Sequence, residues 1–445
     1  KEVGSGITIM GYAGITSQDV APHSIDIYHE ASIAQIQANL ATKTCPVTTT
    51  ITANNATPVV NAVSNYTIPI STPFALTGSA TDANAGDVLT YCWEENDATL
   101  TSTGANSKAS ATKTSGPNWI SFSPTTSPVR YFPQLSSILT GATTTGPLPG
   151  GDAGITIEAL SSVARTLNFR LTVRDNHPYS STAPVAVGQT QFTDMVVTVN
   201  ASAGPFTVTA PNTAVSWAGG STQTITWAVA NTTASPISCA NVKISLSTDG
   251  GLTFPTVLSA STANDGTEAL VIPNTPSTTA RIKVEAVGNI FFDISNTNFT
   301  ITAGSSFTTI TTSAITPLVY CAGTAISVPF TTNGAANAGN VFTAQLSNAA
   351  GSFASPVAIG TLTSTAAGTI SATIPAGTAA GTGYRVRVVS SNPVVTGSDN
   401  GSNITVNVGP TASTITAGGA TTFCQGGSVV LSGNVGGTWS TGATT

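Results

Sequence analysis

The chain has 445 residues and only 7% of them are charged, 13 Lys and Arg against 19 Asp and Glu, for a net charge of −6. A hydrophobic share of 40% sets it apart from disordered chains, which combine low hydrophobicity with strong net charge. No Lys/Arg cluster offers a footprint for a phosphate backbone and no apolar run approaches the roughly 18 residues of a membrane span, so neither a nucleic-acid partner nor a bilayer-spanning helix is expected.

At about 150 residues per domain the length predicts several separate cores. The richness in Thr, Ser, Ala and Gly, with few Lys and Glu, resembles secreted bacterial surface proteins and places the chain outside the cell. Neither end reads as natural. Lys1-Glu2-Val3 has no secretory character, and Thr445 stops within a strand-rich pattern. Five cysteines, Cys45, Cys92, Cys239, Cys321 and Cys424, lie far apart without a CxxC pair, which excludes a zinc ribbon, and their odd number leaves one without a partner.

One stretch reads as helix. After Pro22-His23-Ser24, the residues His29, Ile33, Ile36 and Leu40 recur at helical spacing, with Ser24 or Asp26 as N-cap and Glu30 in the first turn. Thr44 to Thr57, without periodicity, reads as a linker.

Beyond it the period is two. Leu167, Phe169, Leu171 and Val173 alternate, as do Met195, Val197 and Val199, and this predicts half-buried antiparallel strands. The grammar returns in Ile225-Thr-Trp227-Ala-Val229, Val242-Lys-Ile244-Ser-Leu246 and Ile282-Lys-Val284, with Lys243 and Lys283 facing solvent. It returns again in Val328-Pro-Phe330, Val386-Arg-Val388 and Ile404-Thr-Val406. Val173, Val284 and Val388 align at separations of 111 and 104 residues, and Cys321-Ala-Gly repeats as Cys424-Gln-Gly after 103. This is an array of similar units.

Short strands with Gly, Pro and Asn turns every hundred residues are the grammar of immunoglobulin and fibronectin type III sandwiches. The fold class expected is therefore mainly β: tandem Ig-like or fibronectin-like sandwiches at 57–202, 204–303 and 306–409, with a further Ig- or PKD-like domain starting at 412–445. Linkers open to proteases are expected at 44–57, 201–205, 303–307 and 409–414.

Residues 1–43 stand apart from the array. Gly4-Ser-Gly-Ile-Thr-Ile-Met10-Gly-Tyr12-Ala-Gly-Ile15, followed by a helix, resembles the Met-turn region of metzincin zinc proteases, in particular bacterial reprolysin-like peptidases. The resemblance implies that Met10 is the Met-turn methionine. It also implies that Gly11, Tyr12, Ala13, Gly14 and Ile15 form the wall of the pocket for the substrate side chain after the scissile bond. Residues 1–43 would then be the C-terminal remnant of an α/β protease domain whose zinc lies upstream. The family's H-E-x-x-H-x-x-G-x-x-H helix is missing from this chain, which holds only His23, His29 and His177. His23 and His29 are six apart and cannot present the i, i+4 pair of a helical zinc site; an exposed His23 and a helix-capping His29 are the simpler expectation.

Asp82-Ala-Asn84-Ala-Gly86-Asp87, before Leu89-Thr-Tyr91, resembles the acidic turn that cadherin-like sandwich domains use for calcium, and makes Asp82, Asn84 and Asp87 candidate ligands. Turn chemistry alone explains the same residues. Glu94, Glu95 and Asp97 either add ligands or face solvent. Ser247-Thr-Asp249-Gly-Gly251-Leu-Thr253-Phe254 resembles the structural Asp-box turn of sialidases, with Phe in place of Trp, and predicts a hairpin. Trp93, Trp119, Trp217, Trp227 and Trp439 suit a carbohydrate platform if exposed and core packing if not.

Two functions follow from these residues. The leading expectation is a non-catalytic C-terminal accessory region of a secreted or surface zinc metalloendopeptidase, with a protein substrate. The alternative is a surface adhesin or stalk built of tandem sandwiches, meeting extracellular partners and associating with itself through sheet edges.

Overall fold

The computed structural model describes residues 1–433 apart from 46, 55, 100, 101, 305, 306, 338 and 409–413. Trp439, most of the linker expected at 409–414, and residues 412–413 and 434–445 of the domain expected at 412–445 lie outside the described residues. The molecule is mainly β, and its two compact units divide between Ala303 and Gly304. No described helix is long and apolar enough to cross a membrane.

The first sandwich begins at Val59. One sheet runs in the order Tyr66–Pro69, Thr190–Asn200, Arg165–Arg174, Thr90–Glu95, with the first pair parallel and the others antiparallel. Facing it, Phe74–Thr77 pairs with Val129–Phe132, and Val59–Val60 with Ala80–Thr81. Alternation puts Leu167, Phe169, Leu171 and Val173 inward, and Phe169 meets Phe74 and Phe132 across the sandwich at centroid distances of 6.0 and 4.9 Å.

The second sandwich sets Thr207–Ala210, Thr222–Ala228 and Thr267–Val271 against a sheet ordered Ser216–Ala218, Phe299–Thr302, Ser277–Ala286, Asn241–Ser247, Thr256–Ala263. Phe292–Ile294 also pairs with Ser277–Ala286. In the second unit Ile310–Thr312, Ala325–Thr332 and Gly368–Thr373 repeat the first of these sheets. Val319–Cys321, Ile404–Asn407, Gly381–Tyr384, Val386–Ser391, Val341–Leu346 and Val357–Thr363 supply the strands of the second. Val394–Asp399 takes the place of Phe292–Ile294 and joins both sheets through Thr311 and Ser398.

The three aligned valines occupy one ladder position. Val173 pairs with Tyr91, Val284 with Ile244 and Val388 with Ala344, and all three valines are fully buried. The repeat visible in the sequence is thus a repeat of strand register, the level at which burial is decided.

Residues 201–205 do not form the open linker that their composition suggests. Ile70 N–H donates to Ala203 O at 3.0 Å, Gly204 N–H to Ala230 O at 2.9 Å, and Phe206 N–H to Thr72 Oγ1 at 2.9 Å. Phe206 is fully buried against Phe291, at 5.2 Å between centroids. Next to it the free edge of Phe74–Thr77 receives the second sandwich: Ala75 N–H donates to Ile290 O and Phe292 N–H to Pro73 O, each at 3.0 Å. One hydrophobic cluster runs without a break from Ile68 to Ile301.

Two insertions distinguish the first sandwich, 96–128 and 133–164, and residues 1–29 pack on them. Ile7, Val20 and Ala21 meet Ile120, Ile155 and Ile157, while Val3 meets Ala109 and Ala159. The helix is Glu30–Ala41, and its N-cap is His29, not Ser24 or Asp26, because Ala31 N–H donates to His29 Nδ1 at 3.1 Å. Its expected apolar stripe is not buried: Ile36 and Leu40 are exposed, and only Glu30 is inside. Charge holds this helix, since the Arg170 guanidinium lies 2.8 Å from Glu30 and 2.6 Å from Asp194.

The packed junction is open to a glycine test. Gly204 has φ +104°, and a Cβ there would lie 2.4 Å from Ile70 O, whereas Gly250 has φ +83° and open space around it. Gly204→Ala is therefore expected to lower the melting temperature of residues 1–303 well beyond the loss of about 1 kcal/mol expected for Gly250→Ala; equal losses would contradict the packed junction. Limited proteolysis, in parallel, should separate residues 1–303 from 304–445 before any cut in 201–205. A second expectation concerns His29, whose imidazole is held down to about 4, chiefly by burial. A His that folds neutral stabilises fully above its unfolded value near 6.5, and loses that contribution as pH falls toward the folded value. His29→Asn keeps a capping acceptor; melting curves from pH 7 to 4.5 should show a smaller loss for this variant than for the parent.

Candidate cation site

At one end of the first sandwich three carboxylates converge. Asp82 and Asp87 lie in the loop between Ala80–Thr81 and Thr90–Glu95, and Asp175 follows the strand Arg165–Arg174. One ligand-capable oxygen from each lies within 4.8 Å of the other two. The turn that carries the first pair is built as its residues suggest: Asn84 N–H donates to Asp82 Oδ1 at 2.7 Å, an Asx turn.

Asn84 itself serves the adjoining segment, because its Oδ1 accepts from Ala56 N–H at 3.0 Å. The third carboxylate is Asp175 instead, 88 residues beyond Asp87 in the chain. Its Oδ1 accepts from His177 N–H at 3.2 Å and Gln189 N–H at 2.8 Å, and its Oδ2 accepts from Asn54 Nδ2 at 3.0 Å. Asn54 is drawn in from the segment before the sandwich, where Gln189 Nε2 donates to Asn54 O and Ala56 O at 2.9 Å.

No Lys or Arg among the described residues forms an ion pair with these carboxylates. Among the described residues the one ion-pair partner of the three is His177, whose Nδ1 lies 2.9 Å from Asp87 Oδ1. Three buried oxygens have no hydrogen-bond partner: Asp82 Oδ2, Asp87 Oδ2 and Asn54 Oδ1. The Asp87 side chain is only 8% exposed and Asn54 7%. Oxygen donors of this number and charge suit a hard divalent cation.

The acids nearby in sequence have other work. Glu94, Glu95 and Asp97 are buried, not solvent-facing. Glu95 accepts from the backbone of Asn118 and, at 2.8 Å, from Trp119 N–H, while Glu94 accepts from Ser121 Oγ at 3.0 Å and Glu30 N–H at 3.2 Å. Asp97 pairs with the Arg165 guanidinium at 3.1 Å. Burial pushes the Glu94 carboxyl up to about 7.

The residues of the N-terminal motif lie elsewhere. Met10, Tyr12 and Ile15 are 61%, 64% and 77% exposed, and Gly11 N–H donates to Thr8 O in a tight turn, with Ala13 and Gly14 following on the same surface segment. His23 is exposed and His29 caps the helix, so the three histidines do not converge. Asp249 is bound within its own hairpin by Ser247 Oγ and Thr253 Oγ1, both at 2.6 Å, and these hydroxyls hold its carboxyl down to about 2. Trp93, Trp119 and Trp227 are core residues and Trp217 packs on Phe299 at 4.7 Å. A cleft of about 810 Å³ between the first two sandwiches shows Tyr66, Tyr131, Asn289, Lys243 and Lys283, but both ammonium groups are engaged by Glu285, at 2.7 and 2.5 Å.

No protein-family model matches the chain, and no curated protein does. Solved structures similar to it include the FN1–FN3 domains of chicken CNTN1, at 10% identity over 79% of this chain and 97% of that one with a TM-score of 0.25. A marsupial T cell receptor is similar at 11% identity over 48% of this chain and 76% of its own, with a TM-score of 0.21. A chimeric titin Z1Z2 gives 9% identity over 56% and 99%, with a TM-score of 0.17. The assignment to tandem sandwiches rests on the strand order and register described above.

Proposed function

We propose that the chain is a non-catalytic accessory region that acts outside the cell as an adhesin-like spacer of tandem Ig- and fibronectin-type sandwiches. The observation that supports this reading most directly is the fusion of the sandwiches at 57–303 through a shared core and a shared sheet edge. A fused pair resists bending at its joint, which serves a spacer and has no bearing on turnover. The polar chemistry of this unit is likewise spent on architecture: Glu94, Glu95, Asp97 and Glu158 accept hydrogen bonds from the backbone of Glu30, Trp119, Asn168 and Gln134. Low charge and Thr-rich strands agree with an extracellular setting.

The purified chain, incubated with casein and a fluorogenic peptide library with and without zinc, is expected to give no turnover above buffer. Turnover that is lost on substitution of His23 or His177 would overturn the non-catalytic reading.

A second reading, in which this spacer belongs to a reprolysin-like zinc endopeptidase, is favoured by one observation. The segment with Met10, Tyr12 and Ile15 is anchored on one side by buried Val3, Ile7 and Val20 and leaves those apolar side chains uncovered. The sequence encoded upstream of Lys1 tests it: an H-E-x-x-H helix within about one domain length, roughly 100–150 residues, is expected. A parent without one would leave the spacer reading alone.

A further inference from the structure

We infer that Asp82, Asp87, Asp175 and Asn54 form a calcium site that clamps the segment entering the first sandwich onto two of its loops. The site is independent of the spacer reading, because it rests on the donor atoms alone.

Two observations of different kind converge on it. The first is the approach of three carboxylates with no Lys or Arg among their ion-pair partners in the described residues. Like charges at this distance repel, and partial burial lowers the dielectric that would screen them. The second is the set of oxygens left over. Asp87, nine-tenths buried, keeps Oδ2 without a partner, and so does Asp82; Asn54, equally buried, points its Nδ2 at Asp175 and leaves Oδ1 unsatisfied. An orphaned buried acceptor is costly, and more so when charged, so the leftover oxygens of Asp82 and Asp87, with Asn54 joined to the same cluster through Asp175, suit a cation.

Size and softness select the ion. Calcium takes about six to eight oxygen donors at about 2.3–2.6 Å in flexible geometry, and three carboxylate oxygens within 4.8 Å of one another can share one such ion. Magnesium demands a closer octahedron at about 2.0–2.1 Å, and zinc prefers nitrogen or sulfur. The one imidazole nearby, on His177, is already directed at Asp87 Oδ1, where it orients a ligand. Water completes the shell.

The ion would tie three segments far apart in the chain: residue 54 ahead of the first strand, 82–87 between strands, and 175 after Arg165–Arg174. Thr52 and Ala53 already lean on this end of the sandwich, their N–H groups donating to Val185 O at 2.9 and 3.0 Å. Calcium would convert that contact into a fixed joint between the N-terminal helix region and the array.

The test uses the whole 445-residue chain, dialysed against chelator and then titrated with calcium chloride. Calorimetric titration should find one strongly bound ion. At free calcium about a hundredfold above the dissociation constant, the melting temperature of unit 1–303 should rise by roughly 5 °C relative to chelator. Amide exchange should slow at 52–56, 82–87 and 175–177 and nowhere in 304–408. Asp87→Asn should abolish all three responses while melting, in chelator, no lower than the parent, because it removes repulsion and keeps an acceptor for His177. Should that variant fail to fold, Asp82→Asn replaces it with the same expectation. Coincident melting curves in calcium and in chelator, or calcium bound with unchanged affinity by Asp87→Asn, would overturn the site.

Discussion

The free edge of Phe74–Thr77 is where the organisation of the first unit is decided. A sheet edge presents unpaired backbone groups, and proteins cover such edges or blunt them. Here the edge is covered from within: the hairpin tip at 288–292 of the following sandwich hydrogen-bonds to Pro73 and Ala75, and Phe206 and Phe291 fill the space behind it. The distance between the sandwiches is then fixed by backbone geometry, which explains why Gly204 stands against Ile70 O where no side chain fits. A polar linker of the usual kind would leave the pair free to bend; this junction makes a single body of it.

A second constraint is the scarcity of charge. With 19 acidic residues in 445, a buried carboxylate needs a task to offset its cost. The insertions at 96–128 and 133–164 carry loop amides, of which Glu95 and Glu158 accept from Trp119 and Gln134, while Asp97 accepts from Asn168 of the strand Arg165–Arg174. Buried carboxylates are tolerated when paired or hydrogen-bonded, and these are both: Arg165 and Arg130 stand beside them. The acidic cluster of Asp82, Asp87 and Asp175 departs from that pattern, since oxygens there are left over.

Much of the fold is legible in the sequence because period-two alternation is a direct record of burial. Val173, Val284 and Val388 align without knowledge of any ladder, and Asp249-Gly250 marks its hairpin through turn chemistry that is local. What the sequence hides is long-range. Asp82 and Asp87 announce themselves by spacing, but Asp175 and Asn54 join them only after the sheets form, and nothing in their neighbourhoods singles them out. Glu94 and Glu95 look solvent-facing or ligand-like in the sequence because charge is ordinarily an exterior signal, and the loop groups they serve lie more than 20 residues away. The helix errs in the opposite direction: its apolar spacing is real, yet an ion pair to Arg170, not that stripe, holds it down.

The mechanical unity of the first two sandwiches underlies the proposed spacer role, and force applied across the chain measures it directly. Stretching single molecules between their ends should give one rupture for residues 57–303, releasing roughly 800–850 Å of contour at about 3.5 Å per residue, distinct from the event of the third sandwich. Two separate ruptures within 57–303, each releasing the length of one sandwich, would contradict it.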